Sequence, residues 1–220
     1  MAAEFKYIQD TLIGESLMSD TKETLQIGVK AVEVVDKIFK FHAVKQFSYT
    51  KYDPESTYAM SKNQQLSWDK WSNVNALEEL SNQIVESNLQ KFEIEGNDIN
   101  VHKILAIGSK VQVENGIKHL QMLDFDFSDY VIGMEMIKNS ELPHGVILRT
   151  DHSYHYYGLN LIDKHSWENW INHLLSIKDT EDLFGHEYLT LCLDRGYSAL
   201  RIFGYQGTSK ETTPIVVAKI

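Results

Sequence analysis

The most constraining stretch of the chain is residues 102–127. Two β-rich runs, 102–113 (HKILAIGSKVQV) and 117–127 (IKHLQMLDFDF), flank Glu114-Asn115-Gly116, and Asn-Gly between apolar runs marks a β-hairpin. Asp129 to Lys138 then reads as a short amphipathic helix with an acidic start and a basic end, as the helix dipole prefers. Gly145–Arg149 and Tyr154–Leu161 form a second pair of strands around the four-residue turn Thr150-Asp151-His152-Ser153. Helices over Ser166–Ile177 and about Thr180–Leu193 follow, with closing strands at Ala199–Tyr205 and Pro214–Lys219. The order ββαββααββ predicts an α+β domain. Its mainly antiparallel sheet carries helices on one face and leaves the other free for a site.

The first half is mostly helical in pattern. From Thr21-Lys22-Glu23 onward, Leu25, Val29, Val32, Val35, Ile38 and Phe39 recur at three-to-four spacing, and a second stripe runs from Asn75 through Leu77, Leu80, Ile84 and Leu89. The segment between, Phe47 to Trp71, is rich in Tyr, Ser, Lys and Gln and reads as a connection with a turn at Tyr52-Asp53-Pro54-Glu55-Ser56. The expected organisation is a mostly helical N-terminal lobe over 1–100 and a core over 101–220, packed as one unit.

At 220 residues, 43% hydrophobic and 24% charged, the chain has the composition of a globular protein that can bury a core without disulfides or a structural metal. The lone Cys192 cannot form an internal disulfide, which points to a reducing cytoplasm. No run approaches the ~18 apolar residues of a membrane span, and the first ten residues carry acids where a signal peptide would be basic. A net charge of −10 argues against a protein that coats nucleic acid. The excess is spread evenly, 10 basic against 16 acidic residues over 1–100 and 11 against 15 over 101–220, so any phosphate-binding surface must be local.

Three segments could carry chemistry. In Met122-Leu123-Asp124-Phe125-Asp126-Phe127, alternation along a strand puts Asp124 and Asp126 on one face, ~6.6 Å apart, with Leu123, Phe125 and Phe127 on the other. Paired carboxylates suit Mg²⁺ or Mn²⁺, whose shell is completed by waters and substrate phosphates; the alternative is a solvated acidic strand end. Ser153 and His155 share a strand face, and Arg149 ends the preceding strand, giving a hydroxyl, an imidazole and a guanidinium suited to phosphate; the alternative is a polar residue satisfied on a strand. In the third segment, Arg195-Gly196 ends a helix, Leu200 and Ile202 share one strand face, Arg201 takes the other, and Lys210 follows in a loop. A mid-strand arginine meets either an anion or a salt-bridge partner.

Taken in this order, the motifs resemble the archaeo-eukaryotic primase superfamily, the primase-polymerase (PrimPol-like) catalytic module with an RRM-like sheet, over roughly residues 102–220. Leu123-Asp124-Phe125-Asp126 matches the family's apolar-D-x-D strand and Ser153-Tyr154-His155 its small-x-His strand. The resemblance implies that Asp124 and Asp126 hold catalytic Mg²⁺ or Mn²⁺, that His155 contacts the phosphates of the incoming nucleotide, and that Arg201 reaches the triphosphate. Its third metal carboxylate corresponds to Asp194, with Asp179 or Asp182, ahead of Gly185-His186, as alternatives. Arg149, Ser153 and Lys210 complete the expected substrate-binding set.

The activity so implied is metal-dependent nucleotidyl transfer of primase or polymerase type, with nucleoside triphosphates, a single-stranded DNA or RNA template, and a helicase or other replication or defence protein as partners. Two rival classes stay open: another D-x-D metal enzyme, such as a phosphodiester hydrolase or a sugar-nucleotide glycosyltransferase, although the doubly wound βαβ pattern of the latter is absent, and a relative without turnover that acts by binding.

Overall fold

The computed structural model describes residues 25–52, 71–86, 104–125, 127, 129–140, 142–177, 185–204 and 210–220. Helix α1 (Ala31–Phe41) and strand β1 (Gln46–Tyr52) are followed by β2 (Trp71–Asn73) and α2 (Val74–Glu86). The second half runs β3 (Ile104–Val113), β4 (Gly116–Phe125), α3 (Tyr130–Asn139), β5 (Gly145–Arg149), β6 (Tyr154–Ile162), α4 (Lys164–Ser176), α5 (His186–Arg195), β7 (Ala199–Arg201) and β8 (Ile215–Lys219). This is the ββαββααββ order read from the sequence.

The strands form one antiparallel sheet in the order β2-β1-β3-β4-β6-β5-β8, with β7 paired to β3. The β3–β4 hairpin closes over Glu114 and Asn115, and Gly116, at φ +108°, takes the left-handed conformation that a side chain would resist. One side of β3 is occupied by β1. Along its other side β4 pairs with Lys110–Val113 and β7 with Ala106–Gly108, so β7 fills the fork where β3 and β4 diverge.

Period-two alternation sorts the apolar side chains into two cores. Leu120, Met122, Val146, Leu148, Tyr157 and Leu159 join one; Leu123, Phe125, Ile147 and Tyr156 join the other. The second core is covered by α3 through Met134 and Ile137, α4 through Trp167, Ile171 and Leu174, and α5 through Leu189 and Cys192. The helices of the second half therefore lie on one face, as expected. The opposite face is not bare: α1 packs Val35, Ile38 and Phe39, and α2 Leu77 and Leu80, into the first core with Phe47 and Val111.

Residues 46–52 correct the reading of that region as plain connection. They form β1, hydrogen-bonded between β2 and β3. Its alternation is present, with Phe47 and Tyr49 packed on the first core, but Gln46, Ser48 and Thr50 between them give the stretch a polar composition that hides it. The helix start at 21–23 and residues 53–56 of the expected turn lie outside the described residues. No helix among the described residues is long and apolar enough to cross a membrane.

Candidate active site

The β4–β6 register places Asp124 directly opposite His155, on the first face by alternation with Met122 and Tyr157. The turn feeding β6 is fastened by Thr150. Its backbone N–H donates to the Ser153 carbonyl at 2.9 Å, and its Oγ1 lies 2.8 Å from that carbonyl, 2.9 Å from Ser153 Oγ and 3.1 Å from the Ser153 N–H. Ser153 Oγ, so fixed, donates to Asp124 Oδ1 at 3.3 Å, and His155 Nε2 stands 3.7 Å from the same oxygen. The Asp124 side chain keeps 43% of its surface exposed while that of His155 keeps 5%. A solvent-facing carboxylate thus sits over a buried imidazole and a hydroxyl.

Burial, with Arg201 and Lys210 adding like-charge repulsion, holds His155 well below the ordinary imidazole value. The ring is neutral at physiological pH. Its 3.7 Å approach to Asp124 is therefore a contact and not an ion pair, being too long for a hydrogen bond. Its Nδ1 is buried with no hydrogen-bond partner among the described residues, a state that costs free energy unless something completes it.

Arg201 is the best-anchored side chain of the region. Buried in β7, it donates through Nη2 to Asp151 Oδ2 at 2.7 Å and through Nη1 to the carbonyls of Thr212 at 2.6 Å and Phe203 at 3.0 Å. Asp151 Oδ1 accepts the Thr212 N–H at 2.7 Å. Burial alone would raise the Asp151 carboxyl, but the donors of Thr212 and the Arg201 guanidinium outweigh it and hold it below its ordinary value. Gly204 lies so close to the Glu211 carbonyl that a Cβ there would overlap it. Arg201 and Asp151 together clamp the segment carrying Lys210, whose charge is felt at His155.

Asp124, Ser153 and His155 are brought together, with Lys210 within electrostatic reach of His155. Arg149 is not among them: exposed at the end of β5, it falls by alternation on the other face and its charge acts on Tyr154. Asp194 is exposed on α5, turned about 200° around the helix from buried Cys192, so it points away from the sheet. Asp126, Asp179 and Asp182 lie outside the described residues. Among the described residues no group of three His, Cys, Asp or Glu side chains is placed to hold a metal ion. The half-exposed Asp124 carboxylate, with the Ser153 hydroxyl beside it, nonetheless offers hard oxygen ligands, as for Mg²⁺ held by one or two carboxylates and completed by water and phosphate.

Three nearby residues escape sequence reasoning. Thr150 and Asp151 stand in the turn, but nothing local shows that Asp151 pairs with an arginine fifty residues away. Tyr188, partly buried on α5, is held well above the ordinary phenol value by burial of its hydroxyl, then by Cys192 and Asp124. Its place at i−4 from Cys192 was the available signal.

Residues 76–214 match the family model AEP-like, Archaeo-eukaryotic primase 1D-like. The match spans more than half of the chain and takes in every strand from β3 to β7, so the chain belongs to the archaeo-eukaryotic primase-like family and has a primase/polymerase-type fold. No curated protein and no solved structure matches the chain.

Proposed function

We propose that the chain is a nucleotidyltransferase of primase or polymerase type that joins nucleoside triphosphates on a single-stranded template. The observation that carries the reading is the in-register pair of a half-exposed Asp124 and a buried, neutral His155 within the family-matched segment. Asp124, with Asp126 as its expected companion, would hold Mg²⁺ or Mn²⁺. A divalent cation bound there supplies charge neutralisation at the transferring phosphoryl group and lowers the pKa of the attacking 3′-hydroxyl. Ser153 orients the Asp124 carboxylate by donating to Oδ1. His155, neutral, presents a ring N–H to a nucleotide phosphate without bringing a charge that burial would penalise. Lys210 supplies the cation on the phosphate side, and Arg201 acts on the triphosphate through the loop that it holds.

Because phosphate attraction at this site depends on loaded metal, a net charge of −10 is compatible with a nucleotide substrate. The second reading, a relative that binds nucleotide without turnover, is favoured by the outward direction of Asp194. Glycosyl transfer on a doubly wound sheet finds no support in a sheet whose strand pairs are all antiparallel. A thermal melt with Mn²⁺ and a nucleoside triphosphate tests the proposal: stabilisation that requires both, and that Asp124→Asn removes, is expected. Equal melting with and without the two ligands rejects both nucleotide readings.

A further inference from the structure

We propose that the second face of the sheet carries a separate phosphate-binding site made by Lys110 and Arg195 on the ring of Tyr197, with Lys164 nearby at the start of α4. Lys110 points to that face, since its strand neighbours Ile107 and Val111 fill the first core and its cross-strand partner His119 stacks on Trp167 beneath α4, at 4.8 Å between ring centroids. Lys110 Nζ stands 5.4 Å from the centroid of Tyr197, and Arg195 Cζ stands 4.9 Å from the same centroid. Gly196, at φ +73° as the cap of α5, makes this convergence by turning the chain between Arg195 and Tyr197. The nearest atom to a Cβ built there would be Lys110 Nζ, at 4.0 Å. Lys164, first residue of α4, is close enough that its charge, after burial, lowers the affinity of Lys110 for its proton.

Lys110 and Arg195, gathered on one ring with Lys164 nearby, repel one another, and cation–π attraction of about 0.5–1 kcal/mol each is a modest offset. The carboxylates near them are already engaged. Asp163 caps α4 by accepting from Ser166 N at 2.8 Å and Ser166 Oγ at 3.1 Å. Glu168 meets Lys164 at 3.5 Å in a solvent-exposed i,i+4 pair, the weakest kind of ion pair. Among the described residues Lys110 and Arg195 have no carboxylate partner. Arg195 donates through Nη2 to Cys192 Sγ, at 3.7 Å, and also hydrogen-bonds the Tyr197 side chain, while its Nε is buried with no acceptor among the described residues. In a chain with ten more acidic than basic residues, two cations that share one ring and have no carboxylate partner among the described residues are a place built for an incoming anion. A phosphate group matches the donors, with forked nitrogens from Arg195 and point charges from the two lysines. The source of that phosphate is either the backbone of a nucleic-acid strand or a free phosphate compound. By alternation Lys110 and Asp124 fall on opposite faces of the sheet, although the Asp124 charge reaches Cys192, which Arg195 touches.

The test is fluorescence anisotropy of a labelled oligothymidylate with the full chain in EDTA, where metal-dependent binding is silent, across a salt series. Strand binding with a salt slope that falls by roughly 1.4 in Lys110→Gln/Lys164→Gln, about 0.7 per lost single-strand contact, supports the site with nucleic acid as the source. Affinity should fall about tenfold or more in that variant and in Arg195→Gln. If the oligonucleotide does not bind but pyrophosphate raises the melting temperature of wild type and not of Lys110→Gln/Lys164→Gln, the source is a free phosphate compound. Lys164→Glu, on a side chain two-thirds exposed, covers the case in which the other variants fail to fold, and should weaken binding further than Lys164→Gln. Unchanged affinity and slope in these variants, or no response of the wild type to either ligand, overturns the proposal.

Discussion

Replacing Arg201 with Met separates a fold-holding guanidinium from one held ready for substrate. In the structure Arg201 and Asp151 form a buried pair with side chains 1% and 13% exposed, and three good hydrogen bonds leave the guanidinium for Asp151, Phe203 and Thr212. Removing one partner of a buried pair leaves an uncompensated carboxylate, at a cost of about 3–5 kcal/mol, to which the stranded carbonyls add unless the loop relaxes. At a urea m-value near ~2 kcal/mol/M, a loss of about 4 kcal/mol moves the unfolding midpoint down by about 2 M. Asp151→Asn should also destabilise, and in the double variant the two losses should fall short of additive by about 1–3 kcal/mol. The acid limb gives a second readout. The folded Asp151 carboxyl lies below its unfolded value, so its contribution is present above the unfolded value and is lost as pH falls through the folded one; Asp151→Asn should flatten that limb. An Arg201→Met protein within about 0.5 kcal/mol of wild type but with impaired nucleotide affinity would refute this reasoning and make the guanidinium a direct ligand contact.

His119, buried against Trp167 and 3.2 Å from Ser109 Oγ, is pushed down to about 4, by burial first and then by Lys110 and Lys164. Between about pH 6.5 and 4 the unfolded chain binds a proton that the folded chain refuses. Stability should therefore drop by about 2 kcal/mol from pH 7 to 5, a drop that His119→Gln lessens in urea titrations at the two pH values. Gly204→Ala should shift the loop through its clash with the Glu211 carbonyl and cost about 1–3 kcal/mol, seen as a lower thermal midpoint. His155→Ala should weaken nucleotide binding in the presence of Mn²⁺ by about tenfold, read by titration of a fluorescent triphosphate; unchanged affinity counts against its phosphate role.

Most of the second half was legible because its signals are local. Asn115-Gly116 sets the first hairpin, alternation through Met122–Phe125 and Val146–Leu148 sorts two faces, and Asp129 starts α3 by accepting from the N–H groups of Val131 and Ile132. Asp124, Ser153 and His155 were legible for the same reason, each placed by period two on a strand. β1 was not, since its apolar half is only two aromatic residues deep and its pairing partner β3 begins more than fifty residues later. Arg201 was half legible: its burial demanded a partner, but choosing Asp151 over an external anion requires the fork that admits β7. Arg149 falls on the opposite face from Ser153 and His155, because proximity in the hairpin says nothing about face.

The most direct measurement is a gel assay with a single-stranded template, labelled nucleotides and Mn²⁺, comparing wild type with Asp124→Asn. The account predicts labelled product from wild type and loss of about three orders of magnitude or more in Asp124→Asn, with the variant's far-UV spectrum and melting curve unchanged. Product formed by Asp124→Asn at the wild-type rate would contradict it.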